Sequence, residues 1–126
     1  MFNRRLKMKL AVIGSRNLKS VFIDEYIPAE VSEIISGGAL GIDTLAKEFA
    51  QRKGIRLTEF LPKYHLYGRA APIRRNEEIA NYADEAIAFW DGKSKGTEYT
   101  IKYFKKLGKP IKIIWNCQDM CSRKIP

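Results

Sequence analysis

A chain of 126 residues with 45% hydrophobic content suits one domain with a full core. No apolar run approaches the roughly 18 residues of a membrane span, so a helical membrane protein is excluded as a reading. The net charge of +9, from 23 Lys plus Arg against 14 Asp plus Glu, directs attention to anionic partners: nucleotides, phosphosugars or nucleic acid.

The opening MFNRRLKMKLAVIG is basic and then briefly apolar, with β character and no small-residue cleavage site. It reads as a strand rather than a secretory signal, and the expectation is a cytoplasmic protein. "KLAVIG", ending at Gly14, is a buried strand. "LKSVFIDEYI" has Leu18, Val21, Phe22, Tyr26 and Ile27 at helical spacing and stops at Pro28. "SEIIS" is a short apolar strand ended by glycines. The next helix places Ile42, Leu45, Ala46 and Phe49 on one face and ends near Gly54. "IRLTEFLP" is a third strand. Residues 63–71 show no period and read as a loop, and Pro72 opens the following helix at its first position. In that helix Ile73, Asn76, Ile79, Ala80 and Ala83 share a face. "EAIAFW" is a fourth strand and "DGKSKGT" a loop. A helix with Thr100, Tyr103, Phe104 and Leu107 inward follows, closed by Gly108 and Pro110. "IKIIW" is a fifth strand before a polar tail.

Strands alternating with amphipathic helices predict a single Rossmann-like three-layer α/β/α domain with a parallel sheet of about five strands. Its core spans about residues 8–115. Ligands of such sheets bind beyond the carboxyl ends of the strands, where the strand order reverses. The residues delivered to those ends are therefore the candidates. The first strand delivers Gly14, Ser15 and Arg16; a tight turn with a helix cap at Ser15 or Asn17 is the plain alternative. The second delivers Gly37, Gly38, Ala39 and Gly41, with Asp43 in the first turn of the helix after them. Backbone N–H groups at a glycine turn and a helix N-terminus favour an anion. Asp43 either complements the helix dipole or accepts hydrogen bonds from a ribose or base. The pattern is neither the dinucleotide fingerprint nor a P-loop.

Arg74, Arg75 and Asn76 sit in the first two turns of the third long helix, where the dipole disfavours cations and a bound anion offsets the cost. The fourth strand delivers Asp91, Gly92, Ser94, Gly96 and Thr97, another donor-rich glycine turn. Cys117 and Cys121 read as ordinary thiols, too few for a zinc site or a disulfide framework. No cofactor is demanded and no ligand cluster points to a protein-held metal; a divalent cation would accompany nucleotide phosphates at Asp43 or Asp91. Tyr99 and Tyr103 are candidates for an aromatic surface through which the protein forms a homodimer.

Taken together, "VIGSR", "ISGGALGID", Arg75-Asn76 and "AFWDGKSKGT" resemble, in order and approximate spacing, the SLOG superfamily. This is the Rossmann-like group of the YspA/YpsA-related proteins, the LOG phosphoribohydrolases and the DNA-processing protein DprA. The small YspA-like branch is the nearest in kind. The resemblance implies a nucleotide or nucleotide-derived ligand held by Gly14, Ser15, Arg16, Gly37, Gly38, Ala39, Asp43, Arg75, Asn76, Asp91, Gly92, Ser94, Gly96 and Thr97. One departure matters. LOG enzymes carry P-G-G-x-G-T-x-x-E with a catalytic glutamate; here Gly96-Thr97 match but that position is Thr100. Glu98 comes two residues early, which turns it about 160° off the required face at roughly 100° per residue.

The leading expectation is therefore a sensor or ligand-binding module. One alternative is cleavage of an N-glycosidic bond with Asp43 or Asp91 as the catalytic carboxylate. Another is DprA-like single-stranded DNA binding, favoured by the charge, by Tyr64 and Tyr67 near Arg69, and by the basic run "KYFKK". Against it, the basic residues are spread along the chain rather than gathered in one stripe.

Overall fold

The computed structural model describes residues 8–15, 22–38 and 41–115. Five strands form one sheet: β1 (Met8–Gly14), β2 (Val31–Ser36), β3 (Arg56–Glu59), β4 (Glu85–Trp90) and β5 (Ile111–Trp115). Every pairing is parallel, in the order β3-β2-β1-β4-β5. Between the strands lie α1 (Ile42–Lys53), the single turn α2 (Tyr64–Tyr67), α3 (Ala71–Tyr82) and α4 (Lys95–Lys106). This is the predicted Rossmann-like α/β fold. The chain steps from β1 out to β3, then returns to the other side of β1 as β4 and β5. The order reverses between β1 and β4, and the crevice belongs there.

The two-residue period of the strands sorts the core into two layers. In β1, Leu10 and Val12 face one layer and Ala11 and Ile13 the other; in β4, Ile87 and Phe89 oppose Ala86 and Ala88 in the same way. The first layer is closed by Ile42, Ala46, Phe49 and Ala50 of α1 and by Ile23. The second is closed by Ile79 and Ala80 of α3 and by Ile101 and Phe104 of α4. Gly54, in the left-handed region at φ 67°, ends α1 and donates its N–H to the Ala50 carbonyl.

Three expectations are corrected. The helix read over 18–27 is, among the described residues, one 3-10 turn at Ile23–Tyr26; residues 18–21 lie outside them. Phe22 before the turn and Ile27 after it are extended. Pro28 disfavours helical backbone at Ile27, and Ile23, Tyr26 and Ile27 meet the core from a single turn and an extended residue rather than from a helix. The turn is tied to α1 instead, by Arg52 donating two hydrogen bonds to Asp24 at 2.8 and 3.0 Å. That guanidinium holds the Asp24 carboxyl below its ordinary pKa. Residues 63–71 are not a loop: α2 leads through a 3-10 turn at Gly68–Ala70 directly into α3, which begins at Ala71. Pro72 serves in the first turn because the N–H groups there have no intrahelical acceptor anyway. On α4 the buried face is Thr97, Thr100, Ile101 and Phe104, whereas Leu107 falls past the last helical residue and is exposed. Cys117 and Cys121 lie outside the described residues.

Two polar devices lock the α3 side of the sheet. Glu33, buried in β2, accepts hydrogen bonds from the Thr58 hydroxyl at 2.6 Å and the Tyr82 phenol at 2.8 Å. The bond to Glu33 pushes the Tyr82 pKa up. Lys109, in the turn before β5, donates to the carbonyls of Ala80, Asn81 and Ala83 at 2.8, 3.0 and 2.7 Å. A cation thus satisfies the orphan acceptors at the negative end of α3. Lys109→Met is expected to cost about 1–3 kcal/mol. The check is a urea titration, in which the midpoint falls while the slope stays constant.

Candidate functional site

A cleft of about 450 Å³ opens at the carboxyl ends of β1 and β2, a size within the roughly 300–1,000 Å³ of small-molecule sites. Its floor is Ile13 and Gly14 of β1, with Gly37 and Gly38 just after β2. Asp43 enters from the first turn of α1. Leu61 and Pro62, after β3, and Tyr64 of α2 form an apolar wall, continued by Pro72 and Ile79 of α3. Arg75 and Asn76 of α3 face the start of α4, where Ser94, Gly96, Thr97 and Thr100 complete the lining.

The α4 end of the cleft is built by its own sequence. Asp91 Oδ1 accepts the backbone N–H groups of Lys93 (2.8 Å) and Ser94 (2.9 Å), which curls the loop back toward the helix. The indole of Trp90 donates to the Ser94 carbonyl at 3.0 Å. Ser94 then caps α4, its hydroxyl oxygen accepting from the Thr97 N–H at 3.5 Å and donating to Thr97 Oγ1 at 3.2 Å. Ser94 is thus the cap. The buried Ser15 hydroxyl accepts the Asp91 N–H at 3.3 Å, tying the end of β1 to this loop. The result is a helix N-terminus, positive by its dipole, opening on the crevice between β1 and β4.

Arg75 crosses the opposite side. Its guanidinium donates from Nη1 to the Gly37 carbonyl at 2.8 Å and from Nε to Asn76 Oδ1 at 2.8 Å. These bonds hold a long, half-buried cation in one orientation at the cleft wall. They also account for the glycine at 37: a Cβ there would lie 2.9 Å from Arg75 Cζ. Gly38 has φ 72°, a left-handed conformation that L side chains rarely adopt, and its Cβ would meet Leu61 Cδ2 at 2.6 Å. At Gly14 the constraint is packing, since a Cβ would lie 2.5 Å from Ile42 Cγ1 of α1 and 2.8 Å from the Phe89 carbonyl.

Of the candidates named from the sequence, Gly14, Gly37, Gly38, Asp43, Arg75, Asn76, Ser94, Gly96 and Thr97 are brought together in this one cleft. Ser15 and Asp91 stand behind the lining and frame it; Gly92 is exposed beside them. Arg16 and Ala39 lie outside the described residues. Thr100, at the position of the LOG glutamate, lines the cleft and spends its hydroxyl on the Gly96 carbonyl at 2.9 Å. Glu98 is absent from the described lining and sits 3.4 Å from Lys102. The apolar wall of Leu61, Pro62, Pro72 and Ile79 was not foreseen. Its trace in the sequence is the pair of prolines bracketing residues 63–71, which mark where β3 stops and α3 starts.

Among the described residues, no three His, Cys, Asp or Glu side chains gather to hold a metal ion, and no helix is long and apolar enough to cross a membrane. Tyr99 and Tyr103 stack on each other along α4 at 6.2 Å between ring centres, and the Tyr99 phenol donates to Glu77 of α3 at 2.5 Å.

Against known proteins, the chain is similar to the Gene 61 protein of Mycobacterium phage D29, at 31% identity over 84 residues that cover 62% of this chain and 67% of that protein. No family model matches the chain, and no solved structure matches it significantly.

Proposed function

This chain belongs to the family of the Gene 61 protein of phage D29, and we propose that it binds a nucleotide or nucleotide-derived ligand in its cleft, as a sensor or ligand-binding module. One observation carries the reading: the N-terminal turn of α4 and the guanidinium of Arg75 line the same cleft at the strand-order reversal. A phosphate fits the polar end, between oriented N–H groups and a planar cation. A base and ribose fit the wall of Leu61, Pro62 and Tyr64, with Asp43 as hydrogen-bond acceptor. The resemblance to the SLOG group supports the same assignment.

The test is a thermal-shift panel of nucleoside monophosphates, joined to native mass spectrometry of whatever co-purifies. A ligand that binds only the folded state at about 100 times its Kd adds about 2.7 kcal/mol of stability. A panel without any shift, together with a ligand-free mass spectrum, sinks the proposal.

Asp43, as a carboxylate in the lining, favours a second reading, hydrolysis of the ligand's N-glycosidic bond. Thr100 in place of the LOG glutamate speaks against it. Incubation with nucleoside monophosphates is expected to leave them intact by chromatography. Free base that appears with wild type and vanishes in Asp43→Ala would make the protein a hydrolase instead.

A further inference from the structure

Residues 63–70 are all exposed, and the buried Ala71 follows them directly. They comprise α2 and the 3-10 turn after it, and α2 buries none of its residues. The backbone bonds of this turn close on itself. The Leu66 and Tyr67 N–H groups both reach the Lys63 carbonyl at 3.0 Å, and that of Gly68 reaches the Tyr64 carbonyl. Its side-chain ties to α3 lie at the surface. Lys63 is paired with Glu78 at 3.3 Å, and the Arg74 guanidinium sits 5.9 Å from the centre of the Tyr67 ring. Exposed ties of this kind contribute little. A segment without a buried side chain lies at the low end of local stability, from which lids are drawn.

The two ends of the segment differ in stiffness. Pro62 fixes the entry. At the exit Gly68 has φ 56° and ψ −127°, a backbone that side chains resist. A Cβ there would meet no heavy atom within 4 Å, so the glycine makes no room for a neighbour. What it supplies is freedom of the backbone. Tyr64, between these ends, lines the cleft and is still 60% exposed. A large ring at a cleft mouth with most of its area in water has area left to bury.

We propose that residues 63–70 form a lid on the cleft, hinged at Pro62 and Gly68, and that its closing lays the Tyr64 ring on the base of the bound nucleotide. The proposal rests on the nucleotide reading of the cleft. Tyr64 is then the residue that selects a base-bearing ligand over a bare sugar phosphate. The other end of the cleft, at α4 and Arg75, holds a phosphate whatever the phosphate carries. Closing gives up the exposed Lys63–Glu78 pair and gains a stacked, buried ring.

The experiment follows backbone hydrogen exchange by mass spectrometry in the full chain, alone, with AMP, GMP, CMP or UMP in turn, and with ribose 5-phosphate. A bound nucleoside monophosphate is expected to slow exchange across residues 63–70 about tenfold, while the equally exposed residues 105–108 at the end of α4 keep their rate. Ribose 5-phosphate, which carries the phosphate without a base, is expected to bind and to leave 63–70 unprotected. Tyr64→Ala is expected to weaken the nucleotide about tenfold, to abolish the protection, and to leave ribose 5-phosphate bound as before. Gly68→Ala introduces no clash and changes no residue of the lining, yet by narrowing the hinge it is expected to weaken the nucleotide as well. A nucleotide that binds and leaves the exchange of 63–70 unchanged overturns the proposal and makes α2 a fixed wall. Equal protection by ribose 5-phosphate overturns it too, as does full nucleotide affinity in Tyr64→Ala or in Gly68→Ala. Failure of the cleft reading shows separately, as absence of binding by all five compounds.

Discussion

Arg75→Ala is expected to weaken mononucleotide binding by about ten- to a hundredfold while leaving the protein folded. A hydrogen bond to a charged group contributes about 1.5–3 kcal/mol, and each 1.4 kcal/mol is about tenfold in affinity. The upper part of that range applies because this cation is held in place before any ligand arrives, by the Gly37 carbonyl and Asn76, each at 2.8 Å. Little side-chain ordering is left for binding to bear. Gly37→Ala is the companion variant. Its added methyl occupies the space of the Arg75 guanidinium, so it is expected to weaken the ligand comparably without removing a charge. Both are measurable by titration of tryptophan fluorescence. The chain has two tryptophans, Trp90 and Trp115, their rings 4.8 Å apart, and Trp90 is bonded to the Ser94 carbonyl at the cleft's edge. Full affinity in Arg75→Ala would remove the guanidinium from the site.

Phe104→Ala is expected to be the most damaging single truncation in the α3–α4 layer, at about 3–5 kcal/mol. Against a typical stability of about 5–15 kcal/mol, that is a large fraction of the whole. The cost follows from the neighbours. Phe104 is fully buried over a layer that includes Ala11, Ala80, Ala83, Ala86 and Ala88. Methyl groups cannot swing into the vacated volume, so the cavity persists rather than collapsing. Equilibrium urea unfolding measures the loss, and Phe104→Leu, which refills much of the space, is expected to lose about 1 kcal/mol. A loss below about 1 kcal/mol in Phe104→Ala would mean that α4 settles onto the sheet. Because α4 also presents Ser94, Gly96 and Thr97 to the cleft, that settling would appear as altered ligand affinity as well.

Much of the candidate site was readable before any fold was known, because a parallel sheet sends its strand ends to one edge. Gly14, Gly37, Gly38, Ser94, Gly96 and Thr97 were located by that rule alone. Asp91 was readable as a residue but not as a role. In sequence it is a carboxylate at a strand end, and only the loop's curl turns it back to hold the Lys93 and Ser94 N–H groups. Helical spacing misjudged residues 22–27, since periodicity registers which side chains are apolar and not the backbone that presents them: Ile23, Tyr26 and Ile27 reach the core from one 3-10 turn and an extended residue before Pro28. The run 63–71 was missed for the converse reason: its turns bury no stripe and so leave no period.

The sequence by itself determined the alternation of strands and helices, the two-faced sheet and the glycine turns at its carboxyl edge. Those depend on local backbone preference and on a two-residue period, which neighbouring residues specify among themselves. The tertiary structure alone decided that β4 lies beside β1, that Arg75 reaches the Gly37 carbonyl across 38 positions of chain, and that Tyr64 of α2 lines the cleft. Contacts between residues far apart in sequence exist only once the sheet order is set. That order follows from the packing of whole layers, which no short stretch of sequence contains.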